Sequence, residues 1–234
     1  MTRADNTIIL PQHVGYIVDG NRRWAKQHGI PTYEGHLAGY NAIHEVAVAT
    51  FDAGVKYMSA YIFSTENWKR SEDEVSKLMG LVLRLLTSDL PIFDKHNIKL
   101  KILGSRERVG DKILAAIDDA EARTANNTAG TLAICFNYGG QLEIADACKK
   151  IVQSGVDAND ITPELIGQNL YAPEVPPIDI VVRTSGEQRL SNFMLWRAAY
   201  SELMFIDKPW PDMTKDDVED ILKEYARRSR RFGG

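Results

Sequence analysis

Four short segments of this 234-residue chain combine acids, arginines, hydroxyls and glycines in ways that suit phosphate chemistry. The first is Asp19-Gly20-Asn21-Arg22-Arg23-Trp24. An acid and a glycine followed by the start of a helix put free amides and two guanidinium groups where a diphosphate could sit. Asp19 has two equal readings there, a helix cap or a ligand for Mg²⁺, which takes hard oxygen donors and bridges to phosphate. The second segment is Ser64-Thr65-Glu66-Asn67-Trp68-Lys69-Arg70. Asn67 and Arg70 could orient a diphosphate or stabilise a leaving group; the alternative is an ordinary turn with Trp68 packed on the body. The third, Arg183 to Ser191, holds Arg183, Arg189 and Ser191. It reads as an anion site built on arginine forks, against a surface loop with an Arg183–Glu187 pair. Glu202 follows among aromatic and apolar neighbours, where an acid is poorly solvated and is a candidate metal or site residue. Asn137-Tyr138-Gly139-Gly140 is the fourth segment, and His36, between Gly35 and Gly39, could donate to phosphate.

Other signals fail. No GxxxxGK[ST] and no G-x-G-x-x-G is present, which argues against a P-loop and a dinucleotide fingerprint. Asp216 to Asp220 spells DDxxD once, just after Thr214, and reads as the acidic first turns of a helix. His13, His28, His44 and His96 read as surface or packing residues. Cys135 and Cys148 lack metal-ligand spacing and read as reduced thiols of a cytoplasmic protein. Lys and Arg number 28 against 32 Asp and Glu, a net charge of −4. That balance argues against a nucleic-acid partner. The segment Lys223 to Arg231 is locally basic, and such patches on an acidic body suit small anions. Neither a signal peptide nor an apolar stretch long enough to span a bilayer is read.

These segments need a scaffold, and strand-like runs alternate with helical ones. Strands are expected at Val14–Val18, Tyr57–Phe63, Ile98–Leu103, Leu132–Phe136 and Ile178–Val182, with Glu202–Ile206 opening or preceding another. Helices are expected at Asn21–Gly29, His36–Ala53, after a Ser71/Glu74 capping box, at Arg106–Arg123, at Gln141–Val152 and after Thr214. Gln153 to Pro177 reads as a surface excursion with one short helix. The pattern predicts a single α/β domain over residues 1–234, with a central, mainly parallel β-sheet flanked by helices. Residues 1–12 are expected to be a flexible N-terminus. In such a sheet ligands bind beyond the carboxyl ends of the strands, where all four segments fall.

Taken together, His13 to Trp24, Gly35 to Gly39, Phe63 to Arg70, Asn137 to Gly140, Arg183 to Phe193 and Arg230 to Gly234 resemble the cis-prenyltransferases, with the bacterial undecaprenyl diphosphate synthases as the nearest subgroup. The likeness is collinear from His13 to Gly234. It implies a homodimeric, Mg²⁺-dependent transferase that condenses isopentenyl diphosphate onto an allylic diphosphate, with each new double bond cis. By that resemblance Asp19 holds Mg²⁺ on the allylic diphosphate, which is gripped by Gly20, Asn21, Arg22, Arg23, Trp24 and His36. Arg183, Arg189 and Ser191 hold isopentenyl diphosphate, and Glu202 shares the metal. Asn67 and Arg70 are catalytic and, with Ser64, Thr65, Glu66 and Trp68, belong to a mobile substrate-binding segment. An apolar tunnel lined by Leu78, Leu81 and Leu85 takes the growing chain. The basic tail, 223–234, reaches the partner's site.

The resemblance further implies a farnesyl diphosphate primer, a long, undecaprenyl-type product and peripheral membrane contact on release. Rival readings are a short-chain cis-prenyl diphosphate synthase and a non-catalytic subunit of a heteromeric enzyme. The presence of Asp19, Asn67, Arg183, Arg189, Ser191 and Glu202 favours a self-sufficient catalyst. Three residues depart from the family's pattern: Arg22 where many bacterial members have Gly, Thr32 where many have Arg, and Ile62 where long-chain members commonly have Ala.

Overall fold

The computed structural model describes residues 9–228. Its strands are β1 (His13–Ile17), β2 (Tyr57–Ser64), β3 (Ile98–Leu103), β4 (Gly130–Tyr138), β5 (Ile180–Arg183) and β6 (Glu202–Phe205). They form one sheet in the order β3-β4-β2-β1-β5-β6, and every neighbouring pair is parallel. The helices are α1 (Asn21–Gln27), α2 (Thr32–Asp52), α3 (Glu72–Leu86), α4 (Leu90–Lys95), α5 (Asp111–Arg123), α6 (Gly140–Gln153), α7 (Pro163–Gln168) and α8 (Lys215–Arg227).

Strand side chains alternate between two cores on opposite faces of the sheet. Val14, Tyr16, Met58, Ala60, Ile180 and Val182 join the larger core with α2, α3, α5 and α8. Ile17, Tyr61, Cys135 and Val181 join the smaller one, with Val175, Ile178, Phe193 and Met194. Both faces are covered, as the near-continuous apolar strands require. On the second face Arg197 and Glu143 form a buried ion pair at 2.7 Å. Arg197 also donates to the carbonyls of Tyr171, Ala172 and Val175, which pins the 153–177 excursion to the body.

Several expectations need correction. α2 begins at Thr32, four residues early, because Gly35 lies inside the helix. A Cβ at Gly35 would stand 2.2 Å from Asn21 O, and one at Gly39 2.3 Å from Asn21 Oδ1. These glycines therefore let α1 cross α2 at close range. α5 begins at Asp111, not Arg106, since Arg108 turns left-handed with φ 64°. The Ser71/Glu74 box is half formed: Ser71 Oγ accepts from Glu74 N at 3.3 Å, while the Glu74 carboxylate is engaged elsewhere. His13 is a buried packing residue as expected, bonded to Ser59 and Pro176 O, and His44 lies 3.4 Å from Asp89.

Of the expected flexible N-terminus, residues 9–12 are described. Pro11 is buried, and Gln12 is tied by its N–H to Asp179 at 2.6 Å. Residues 1–8 lie outside the described residues. At the other end, Lys223 to Arg227 belong to α8, and Arg228 folds back onto Glu202 and Leu203 O of the same chain. Residues 229–234, including Arg230 to Gly234, lie outside the described residues.

Candidate active site

The carboxyl ends of β1, β2, β4 and β5 bring the four segments to one rim. Beside it opens a cavity of about 890 Å³ that passes from a charged mouth to an apolar interior. Asp19, Gly20, Asn21, Arg22, Arg23, His36, Asn67, Arg70 and Arg189 line the mouth. The interior runs between α2 and α3: Tyr40 and Ile43 from the first, Leu78, Leu81, Val82 and Leu85 from the second, with Tyr61, Ile62 and Phe63 of β2 as the wall. His36 and Ile43 stand about 10 Å apart along α2 at 1.5 Å per residue. The register of β2 against β4 shifts between Tyr61 and Phe63, a bulge that lets Ile62 as well as its neighbours reach the cavity.

Asp19 is held from several sides. Its N–H donates to Thr184 Oγ1 at 2.9 Å, that hydroxyl donates back to Asp19 O at 2.7 Å, and Gly20 N donates to Asp19 Oδ1 at 2.7 Å. Gly20, with φ 109°, takes a turn that a side chain would strain. Arg183 Nη2 donates to Asp19 Oδ2 at 2.9 Å, and Arg23 lies 3.5 Å from Oδ1. Asp19 thus belongs to an ion network at the cavity mouth; its side chain makes no cap bond to α1.

The Arg183 to Ser191 loop wraps this network. Arg183 is buried, donates to Ser191 Oγ at 2.7 Å and to Arg189 O, and keeps a buried Nε without a hydrogen-bond partner. Arg183 and Ser191 do not line the cavity but shape the loop, while Arg189 is among the lining residues. Glu187 pairs with Arg23 at 3.1 Å and with Arg189, not with Arg183.

A second hub is Glu74, which the sequence reading treated only as a cap. Its Oε1 meets His36 Nε2 at 3.1 Å, Arg70 Nη1 at 2.9 Å and Arg22 Nε at 3.9 Å. Burial works to raise its pKa, but the His36 hydrogen bond and the charges of Arg70 and Arg22 hold the carboxyl below its ordinary value. Burial pushes His36 down, against the raising effect of Glu74. Four elements meet at this carboxylate, and its three-residue offset from Ser71 was the misleading signal.

Other expected site residues stand away from the cavity. Trp24 donates to Asp212 Oδ1 at 2.7 Å and its ring meets that of His28 at a 35° tilt, with centroids 4.2 Å apart. Ser64 N donates to Asn67 Oδ1 at 3.1 Å, closing the 3₁₀ turn Thr65–Lys69. Glu66 accepts from Asn192 Nδ2 at 3.3 Å, Thr65 lies against Gly139, and Trp68 bonds Asn137. These four hold the segment in place and do not line the cavity.

Glu202 is a further correction. It opens β6 opposite Ile180, at the amino end of the sheet, whereas Asp19 lies beyond the carboxyl end of β1. It pairs with Arg228 at 3.2 Å. One chain therefore does not bring Asp19 and Glu202 together.

With this geometry in hand, the likenesses are informative. The undecaprenyl diphosphate synthase family model matches residues 17–233. An isoprenyl transferase of Thermotoga maritima is 43% identical over 227 residues, covering 96% of this chain and 97% of its relative. A ditrans,polycis-undecaprenyl-diphosphate synthase of Haemophilus ducreyi, (2E,6E)-farnesyl-diphosphate specific, is 43% identical over 229 residues, covering 96% and 95%. The crystal structure of lavandulyl diphosphate synthase from Lavandula x intermedia with dimethylallyl diphosphate superposes with a TM-score of 0.92 at 32% identity, covering 96% of this chain and 99% of that one. A charged mouth on an apolar cavity, in a fully parallel sheet shared with these proteins, places the chain in the undecaprenyl diphosphate synthase family of cis-prenyltransferases.

Proposed function

We propose that this chain condenses isopentenyl diphosphate onto an allylic diphosphate, with farnesyl diphosphate as primer, and releases a cis-polyprenyl diphosphate of undecaprenyl type. The observation that carries this reading is the continuity of the cavity. Its mouth presents Arg22, Arg23, Arg70, Arg189 and His36, and its interior is lined by aliphatic and aromatic side chains. A diphosphate with a hydrocarbon tail matches both halves.

In this reading the amides at the start of α1 and the Arg23 guanidinium bind the allylic diphosphate. Arg189, aimed by the loop that Arg183 and Ser191 brace, takes the diphosphate of isopentenyl diphosphate. The allylic carbon–oxygen bond breaks, the isopentenyl double bond attacks that carbon, and a proton is lost. Asn67 and Arg70 lie where the leaving diphosphate gathers charge. The walls from Tyr40 to Leu85 keep water from the carbocation-like fragment.

Mg²⁺ is proposed at Asp19. Among the described residues no three His, Cys, Asp or Glu side chains gather into a metal-binding group. Mg²⁺ needs no such group, since one or two carboxylates with substrate phosphates and water satisfy it. The Asp19 carboxylate lines the cavity at its charged mouth, which fits that donor set. When bound, the ion would neutralise charge on the departing diphosphate. Glu202 can join Asp19 only across a second copy of the chain, so its metal role rests on the proposed homodimer. Among the described residues no helix is long and apolar enough to cross a membrane. A cytoplasmic enzyme touching the bilayer peripherally on product release accords with that.

The test is incubation of purified protein with farnesyl diphosphate, labelled isopentenyl diphosphate and Mg²⁺, followed by product sizing. Long cis-polyprenyl products are expected. Failure to elongate any allylic primer overturns the activity, and products one or two units longer than the primer overturn the long-chain assignment.

A further inference from the structure

Asn67 and Arg70 reach the cavity from the segment between β2 and α3. They are three residues apart, the spacing that falls on one side of a 3₁₀ turn, whereas Trp68 faces away. Trp68 Nε1 donates to Asn137 Oδ1 at 2.7 Å. Its ring meets Phe63 edge-on, with centroids 5.1 Å apart, and the Arg108 guanidinium lies 4.8 Å from its centroid.

Asn137, near the end of β4, is built for more than packing. It is buried, and its φ of 47° is left-handed, a conformation Asn tolerates better than most residues. Its whole amide is employed. Nδ2 donates to Ser105 O and to Glu107 O, both at 2.8 Å, while Oδ1 takes the indole. Its backbone carbonyl accepts from Ser105 N at 3.1 Å. One side chain thus joins the 104–110 loop to the β2–α3 segment, and Arg108 of that same loop closes over the indole.

We infer that Asn137 is a positioning residue for the condensation: by clamping Trp68 against the 104–110 loop it fixes the 3₁₀ turn so that Asn67 and Arg70 face the diphosphates. The inference rests on the cis-prenyltransferase reading of the cavity. It also explains why an Asn beside the two glycines of the fourth segment contacts no part of the cavity. Asn67 is too short to make up for a rotation of the turn, and such a rotation would draw Arg70 off its 2.9 Å bond to Glu74. A loose Trp68 would spread them over several orientations, and misplacement of such groups lowers turnover.

Three variants test this in the elongation assay. Trp68→Phe keeps an aromatic ring against Phe63 and Arg108 and removes the indole N–H. Arg108→Ala opens the clamp from the exposed side. Asn137→Ala removes the centre. Trp68→Phe and Asn137→Ala are each expected to lower kcat/KM by about 5-fold or more, the worth of one neutral hydrogen bond. The double variant is expected to be no worse than the poorer single one, because both remove the same tie. The Trp68 emission, taken as a difference spectrum against the matching Trp68→Phe background, is expected to shift to the red in Asn137→Ala and in Arg108→Ala. If Asn137→Ala fails to fold, the kinetics of Trp68→Phe and the emission shift of Arg108→Ala decide the matter. Wild-type kinetics in Trp68→Phe, multiplicative losses in the double variant, or unchanged Trp68 emission overturn the inference. A wild-type protein that elongates no primer overturns the underlying reading, and this role with it.

Discussion

Arg183 donates from Nη2 to Asp19 Oδ2 at 2.9 Å, across the adjacent strands β5 and β1. The arginine is buried, so in the absence of substrate this carboxylate is the charge that balances it. Asp19 therefore ties the buried Arg183 to the charged mouth of the cavity, where it is the proposed Mg²⁺ ligand. Asp19→Asn should retain the fold by circular dichroism and lose about 10²- to 10³-fold in kcat, the scale seen when a group stabilising transition-state charge is removed. A kcat near the wild-type value would rule out the metal role.

His13 makes stability sensitive to acid. Its Nδ1–H donates to Pro176 O at 2.8 Å, and Nε2 accepts from Ser59 at 2.7 Å. Burial, with the charge of Arg197 adding to it, lowers the pKa from 6.5 to about 4, against the bond to Pro176. Between those values the unfolded chain binds a proton that the folded chain refuses. The stabilisation is thus complete above pH 6.5 and declines as pH falls, by roughly 3 kcal/mol near pH 4. Burial lowers His36 and His44 as well, so they act in the same direction. Urea unfolding at a series of pH values should show this decline, and His13→Asn should reduce its slope by about one proton. An unchanged slope in His13→Asn would assign the acid sensitivity to other groups.

The sheet and the cradle at Asp19 were legible because strand ends marked by Gly, Asn and Arg are local signals. The α/β alternation predicted the parallel sheet for the same reason. What sequence hid was direction. Trp24, Thr65, Glu66 and Trp68 lie in the right segments, but their side chains turn to Asp212, Gly139, Asn192 and Asn137, partners tens of residues away or more. Glu74 was read as a local cap because Ser71 precedes it by three, whereas its carboxylate serves three residues on three other segments. Glu202 had the right apolar context, yet the register of β6 against β5 sets it at the wrong end of the sheet for Asp19.

Glu74 should matter for catalysis more than for stability. Its side chain is partly exposed, so its ion pairs contribute at most about 1 kcal/mol to folding. It nevertheless aims Arg70 and His36, both of which line the cavity. Glu74→Gln preserves size and one acceptor oxygen but loses the charge. Turnover per KM should fall about 10-fold, the effect of weakening a charge-assisted pair, with little change in melting temperature. Equal kinetics with a lower melting temperature would instead make Glu74 a structural link between α2 and α3.

The interior of the cavity offers a separate lever, because its walls differ in how firmly they are held. Tyr40 lines it from α2, and its hydroxyl donates to Asp89 in the turn after α3. Asp89 also lies 3.4 Å from His44 and 3.5 Å from Arg84, and its side chain makes no cap bond to α4. Tyr40 is therefore a fixed post across the α2/α3 seam. Ile62, in the bulge of β2, lines the same cavity with no polar tether. Ile62→Ala should widen the space for the growing chain and move the product distribution to longer polyprenyl diphosphates. It should cost about 1 to 3 kcal/mol of stability, since Ile62 is only partly buried and the new space joins an existing cavity. Tyr40→Phe keeps the ring and frees it from Asp89, so lengthening should be smaller and the distribution broader. Product sizing at matched substrate ratios reads both effects. If Ile62→Ala leaves the product unchanged while elongation continues, the β2 wall does not limit chain length, and the limit lies deeper between α2 and α3.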